Sequence, residues 1–226
     1  RSAKRLKSPD ELRVPLDAGG AVSALVYEAG APGADSLFPA AGRPAPGGRC
    51  SALILGHGAG AGQQSAFMVG FARARAALGI NTITFNFLYT EQKRRLPDRR
   101  PALESCYLAV IDVVRRDVAG AGRALFIGGK SMGGRIATQV AAADPALPLA
   151  GLVLLGYPLH PPGRPTERRD AHLPAVRRPM LFVQGSRDTF GTPDELRPVL
   201  EALDPAPALH VVAGGDHSFK VSKSAD

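Results

Sequence analysis

Ala124-Leu125-Phe126-Ile127-Gly128-Gly129-Lys130-Ser131-Met132-Gly133-Gly134-Arg135 is an apolar run that stops at glycines, presents one serine and restarts with helix-forming residues. Gly129-Lys130-Ser131-Met132-Gly133 fits G-x-S-x-G, a sharp strand-to-helix turn that holds a serine in strained backbone and tolerates only small residues two positions either side. On its own the pattern is equally open to a plain tight turn, because five-residue motifs recur by chance. A phosphate loop fits poorly. It needs a glycine where Ala124 stands, and Leu-Phe-Ile is strand-like rather than a run of bare amides.

Working outward, the chain alternates strand-like and helix-like segments. Ala52-Leu53-Ile54-Leu55 ends at Gly56-His57-Gly58-Ala59-Gly60-Ala61-Gly62, and a helix is expected over 65–78. Residues 80–85 are rich in β-branched side chains, as a buried strand requires. Leu103, Tyr107, Val110, Ile111, Val114 and Val118 recur at helical spacing behind Pro101, which suits a first turn. Strands are expected at 124–128, 151–156, 180–185 and 208–212, and a short helix at 193–203. Strands apolar on both faces and separated by helices predict an α/β fold: a mainly parallel sheet with helices on both sides.

Before that core, residues 12–16 and 22–27 alternate around Asp17-Ala18-Gly19-Gly20 and predict an antiparallel edge hairpin. Residues 29–49 are punctuated by Pro and Gly and read as a long surface loop. The whole is expected to be one domain over 1–226, with edge strands and loop in 1–49 and the core in 50–220. About two dozen residues separate the strand at 151–156 from the next, too few for a large lid.

Composition narrows the function classes. With 226 residues and 45% apolar side chains the chain is a globular one, without an apolar run long enough to span a membrane. Arg1, Lys4, Arg5 and Lys7 precede no signal-like apolar segment, so a cytoplasmic location is expected. Cys50 and Cys106 lack ligand spacing and read as free thiols, and no metal or cofactor is expected. The net charge of +8 is scattered, and aromatic residues make up only 6%, so nucleic-acid binding is not expected.

In a parallel sheet, ligands gather beyond the carboxyl ends of the strands. There the sequence offers His57-Gly58-Ala59-Gly60, then Ser131, then Arg187-Asp188, then Asp216-His217. Serine, acid and histidine in that chain order are the partners that turn a motif into a nucleophilic triad. A neutral imidazole at His217 would take the Ser131 proton, and Asp188 would orient the ring. The Met132 amide, backed by a helix N-terminus, and the Ala59 amide would face the developing oxyanion. His57, Gly58, Lys130 and Tyr157 are candidate substrate contacts. Asp194 competes with Asp188 but sits where carboxylates stabilise a helix start. His160 and His172 read as loop hydrogen-bonders, His210 as a packed strand residue and Asp216 as a turn former. A dinucleotide site is disfavoured, since Asn86 stands where a ribose-binding acid should close the second strand.

These blocks, with Phe85-Asn86-Phe87, Gly156-Tyr157-Pro158-Leu159-His160-Pro161-Pro162-Gly163, Gln184-Gly185-Ser186-Arg187-Asp188-Thr189-Phe190-Gly191-Thr192 and Gly214-Gly215-Asp216-His217-Ser218-Phe219, resemble the α/β-hydrolase-like family of dienelactone-hydrolase-related proteins and testis-expressed protein thirty. The resemblance covers about residues 51–220. It implies an α/β-hydrolase fold and a serine hydrolase whose substrate is generally unassigned; the absence of room for a large lid adds the expectation of a small soluble ester or thioester. One relative, a subunit of a chromatin acetyltransferase complex, implies the alternative of a non-catalytic binding or scaffold module with a protein partner. The family usually continues into a closing helix, whereas nine residues follow His217, so that helix is expected to be missing and the chain is open to being a fragment. Lys130, Lys93-Arg94-Arg95, Arg99, Arg100, Arg164, Arg168 and Arg169 are open to two readings, a basic rim that favours anionic substrates and plain solvated cations in loops.

Overall fold

The structure is a computed structural model that describes residues 8–30, 51–118, 121 and 123–221. It contains strands β1 (Asp10–Pro15), β2 (Ala21–Tyr27), β3 (Ser51–Gly56), β4 (Ile80–Phe85), β5 (Leu125–Lys130), β6 (Gly151–Leu155), β7 (Met180–Gly185) and β8 (Ala208–Val212). The helices are α1 (Ala66–Ala77), α2 (Leu88–Glu91), α3 (Arg100–Asp117), α4 (Met132–Ala143) and α5 (Pro193–Glu201). One eight-stranded sheet runs in the order β1-β2-β4-β3-β5-β6-β7-β8. The first two strands are antiparallel; from β4 across to β8 every pairing is parallel. This is the predicted α/β architecture with its antiparallel edge hairpin.

Side-chain alternation explains why both faces are covered. In β3, Ala52 and Ile54 join the core beneath α3 and α4, whereas Leu53 and Leu55 meet Met68 of α1 on the opposite face. In β2, Val22, Ala24 and Val26 face one way, and Leu25 and Tyr27 meet Ala72 and Ala76 on the other. A period of two with apolar residues in both phases is what a strand buried on both sides requires.

Beneath the serine turn, Tyr107 of α3 reaches through this core. Its hydroxyl donates to Gly128 O at 2.6 Å and accepts from Gly128 N at 3.0 Å. The side chain is fully buried, and burial raises its pKa, so it remains a neutral phenol that staples α3 to β5.

Several expectations need adjustment. The serine strand continues to Lys130, two residues past the run read from the sequence, because β6 keeps pairing with it as far as Lys130 and Leu155. The short helix α2 was not anticipated; its four residues carry too little periodicity to register. His210 is exposed rather than packed. It lies on the outermost strand, on the face shared with Leu181, which is 36% exposed. Among the described residues no helix follows the His217 loop. Residues 156–179 hold only a 3-10 turn at Leu173–Ala175. The loop expected over 29–49 lies, apart from Ala29 and Gly30, outside the described residues, as does Cys50. Cys106 is a buried free thiol, its pKa pushed up by burial to about 12. No described helix is long and apolar enough to cross a membrane.

Candidate active site

Ser131 sits between β5 and α4 with φ 50° and ψ −113°, a backbone region that side chains with a Cβ enter at a cost. The flanking glycines make the turn sterically feasible. A Cβ on Gly129, at φ 156°, would lie 2.3 Å from Gly56 O, and one on Gly133 would lie 2.1 Å from the same oxygen. The start of α4 therefore rests directly on the end of β3, and only hydrogen atoms fit between them. Ser131 N donates to Leu155 O at 2.9 Å, tying the turn to β6.

His217 arrives from the loop after β8. Its Nε2 is 2.9 Å from Ser131 Oγ, and its Nδ1 is 2.9 and 2.8 Å from the two oxygens of Asp188. With Nδ1–H donating to the carboxylate, Nε2 is left as the acceptor for the serine hydroxyl. Asp188, in the loop after β7, is fully buried. It is held by Phe190 N at 2.9 Å and by the amide of Gln184 at 2.9 Å. Phe190 stacks on the imidazole with centroids 4.1 Å apart. The side chains of Ser131, Asp188 and His217 thus meet, from three separate strand ends.

Lys130 faces the same site. Its ammonium donates to His217 O and lies 5.3 Å over the Phe219 ring. Burial brings its pKa down to about 8, against the opposing pull of Asp188 and Asp216. Of the predicted substrate contacts, Lys130 and Gly58 do line the cleft above Ser131, together with Ala59 and Met132. The cleft has a volume of about 600 Å³. α4 has no side-chain cap, which leaves its first amides, beginning at Met132, available to a ligand at the helix start.

Two predicted contacts are corrected. His57 is fully buried and does not reach the cleft: its Nδ1–H donates to Gly58 O at 2.9 Å, and Nε2 accepts from Phe87 N and Thr90 Oγ1, each at 3.3 Å. Burial lowers its pKa, so it is a neutral brace for the glycine loop. Tyr157 is also buried; its hydroxyl donates to Arg169 O at 2.7 Å and its amide donates to Gln184 Oε1 at 2.8 Å. Both face the core because the strands they follow are covered on that side.

The remaining candidates take structural roles. Asp194 is exposed in the first turn of α5, where Thr192 and Glu195 form the capping box. His160 bonds to Pro161 O and Glu195, His172 to Thr138, and Asp216 accepts from Ser218 N and Lys220 N within its turn. Gln184 and Arg135 escaped the sequence reading. Both stand in motif blocks, Gln184 with no charge to suggest a role and Arg135 on a helix, where a cation usually marks a solvated face. The basic residues also sort differently: Arg100, Arg135 and Arg169 line the cleft, whereas residues 93–95, Arg99, Arg164 and Arg168 do not. Among the described residues no three His, Cys, Asp or Glu side chains converge as a metal site.

A family model described as an alpha/beta hydrolase domain matches residues 49–226. The chain belongs to the α/β-hydrolase domain family. Solved structures agree with this α/β-hydrolase fold. A lid-free α/β serine hydrolase from Xanthomonas campestris is 22% identical with a TM-score of 0.69, over 94% of this chain and 87% of that one. A dienelactone hydrolase from Anabaena variabilis is 20% identical with a TM-score of 0.67, over 95% and 90%. Est1E from Butyrivibrio proteoclasticus, solved with ferulic acid bound, is 14% identical with a TM-score of 0.68, over 92% of each chain.

Proposed function

We propose that this α/β-hydrolase is a serine hydrolase that cleaves a small soluble ester or thioester through an acyl-enzyme on Ser131. The observation that carries the reading is the continuous hydrogen-bonded line from Ser131 Oγ through the His217 ring to buried Asp188, at 2.9, 2.9 and 2.8 Å. A serine hydroxyl is a weak nucleophile at neutral pH, and a neutral imidazole in line with it is the base that it needs.

In this mechanism Ser131 Oγ attacks the substrate carbonyl carbon while its proton passes to His217 Nε2. The carbonyl oxygen becomes an oxyanion that accepts hydrogen bonds from the amides of Met132 and Ala59. Asp188 stabilises the imidazolium, and Gln184 and Phe190 N keep its carboxylate aimed. Collapse of the adduct expels the alcohol or thiol, which leaves with the proton from His217. Water, deprotonated by His217, then attacks the acyl-enzyme and restores Ser131.

The test is turnover of p-nitrophenyl acetate and of a matched acetyl thioester by the purified chain. Hydrolysis that Ser131→Ala abolishes is expected. Absence of turnover across esters, thioesters and lactones would overturn the proposal in favour of a binding module.

A further inference from the structure

Three guanidinium groups line the cleft above Ser131: Arg100 from the first turn of α3, Arg135 from α4, and Arg169 from the segment between β6 and β7. Their charges are unequally matched. Arg100 Nε donates to Glu104 Oε1 at 2.6 Å. Asp98, the acidic residue of the lining, accepts from Arg94 at 2.5 Å and from Tyr89 N at 3.1 Å. Lys130 is committed to His217 O. Arg135 and Arg169, both half-buried, have no ion pair among the described residues; the nearby Asp170 is taken by Arg168 at 2.6 Å. Arg135 Nε is sealed from solvent without an acceptor.

Such an arrangement is costly without a counter-ion. Burial, and next the charge of Arg169, lower the Arg135 pKa. Burial first, then the fields of Arg100 and Arg135, also bring His172 down to about 4. Tyr157 fixes the backbone of Arg169 at the cleft through its 2.7 Å hydrogen bond to Arg169 O. Arg135 lies one helical turn after Ser131, its amide donating to Ser131 O at 3.1 Å. Both residues line the same cleft.

We propose that Arg135 and Arg169 form a carboxylate subsite, and that the substrate is a half-ester or half-thioester of a short dicarboxylic acid whose free carboxylate binds there while Ser131 attacks the other carbonyl. The inference rests on the hydrolase reading. Two guanidinium forks flanking one planar carboxylate satisfy both cations with a single monoanion. Attack by Ser131 and then by water releases the alcohol or thiol and the dicarboxylic acid.

Glutarate binding to the Ser131→Ala protein, measured by calorimetry, reads the subsite without turnover. Saturable binding is expected, weakened about tenfold or more by adding Arg135→Gln or, separately, Arg169→Gln, and partly restored by Arg135→Lys. In the active chain, the ratio of kcat/KM for p-nitrophenyl hemiglutarate to that for p-nitrophenyl butyrate is expected to exceed about ten and to fall about tenfold in Arg135→Gln. Glutarate that does not bind, binds equally to the folded arginine variants, or is outcompeted by equimolar inorganic phosphate would overturn the subsite. Failure of the hydrolase reading is distinguishable, because it would leave glutarate bound with no ester cleaved.

Discussion

Replacing Ser131 by Gly and by Ala separates the strain of the serine turn from its chemistry. Both substitutions remove Oγ and its hydrogen bond to His217, so the two variants should be equally inactive and that loss cancels between them. They differ in whether residue 131 keeps a Cβ. At φ 50° and ψ −113° a residue with a Cβ pays roughly 1–3 kcal/mol, and glycine pays little of this. Glycine gains about 0.5–1 kcal/mol of extra freedom in the unfolded chain, which opposes the benefit. The balance favours Ser131→Gly over Ser131→Ala by about 0.5–2 kcal/mol. For a chain of this length that is a Tm difference of about 1–8 °C. Urea melts of the two variants at matched slope, with thermal melts as a check, make the measurement. If Ser131→Gly is no more stable than Ser131→Ala, the turn stores no strain.

Gly133→Ala should be severe although alanine is the better helix former. Its Cβ would stand 2.1 Å from Gly56 O, backbone against backbone, so α4 must lift off β3; a net loss of about 2 kcal/mol in urea melts is expected, with ester turnover down more than about tenfold. Asp188→Asn leaves the packing nearly unchanged but offers an amide to His217 Nδ1, favouring the wrong tautomer; kcat should fall by about 10³–10⁴ in steady-state assays. Lys130 is charged below its lowered pKa of about 8 and loses that charge above it, so its charge-assisted bond to His217 O is strongest on the acid side. The kcat/KM profile should therefore decline through about pH 8 in the native chain, and Lys130→Arg should remove that alkaline limb.

Most of the fold was legible because a doubly covered parallel sheet leaves a blunt signature, namely apolar strands of five or six residues separated by helical segments. Ser131, Asp188 and His217 were legible for a related reason: sheet topology places strand ends together, so the G-x-S-x-G motif, strand-end position and chain order could nominate them. What escaped depended on side-chain direction. Nothing in the local spacing of His57 and Tyr157 says that they turn inward, and both brace loops instead of lining the cleft. Arg135 was hidden by the converse effect, since a cation on a helix usually marks a solvated face, whereas here the helix starts at the cleft floor. Gln184 gained a role only when β7 and the following loop set its amide against Asp188.

Labelling by a fluorophosphonate probe bears most directly on the claim that Ser131 is an activated nucleophile. Stoichiometric phosphonylation on the peptide containing Ser131 is predicted, abolished by Ser131→Ala and strongly slowed by Asp188→Asn. Undiminished labelling of the Ser131→Ala protein, or an unlabelled native chain that remains folded, would contradict it.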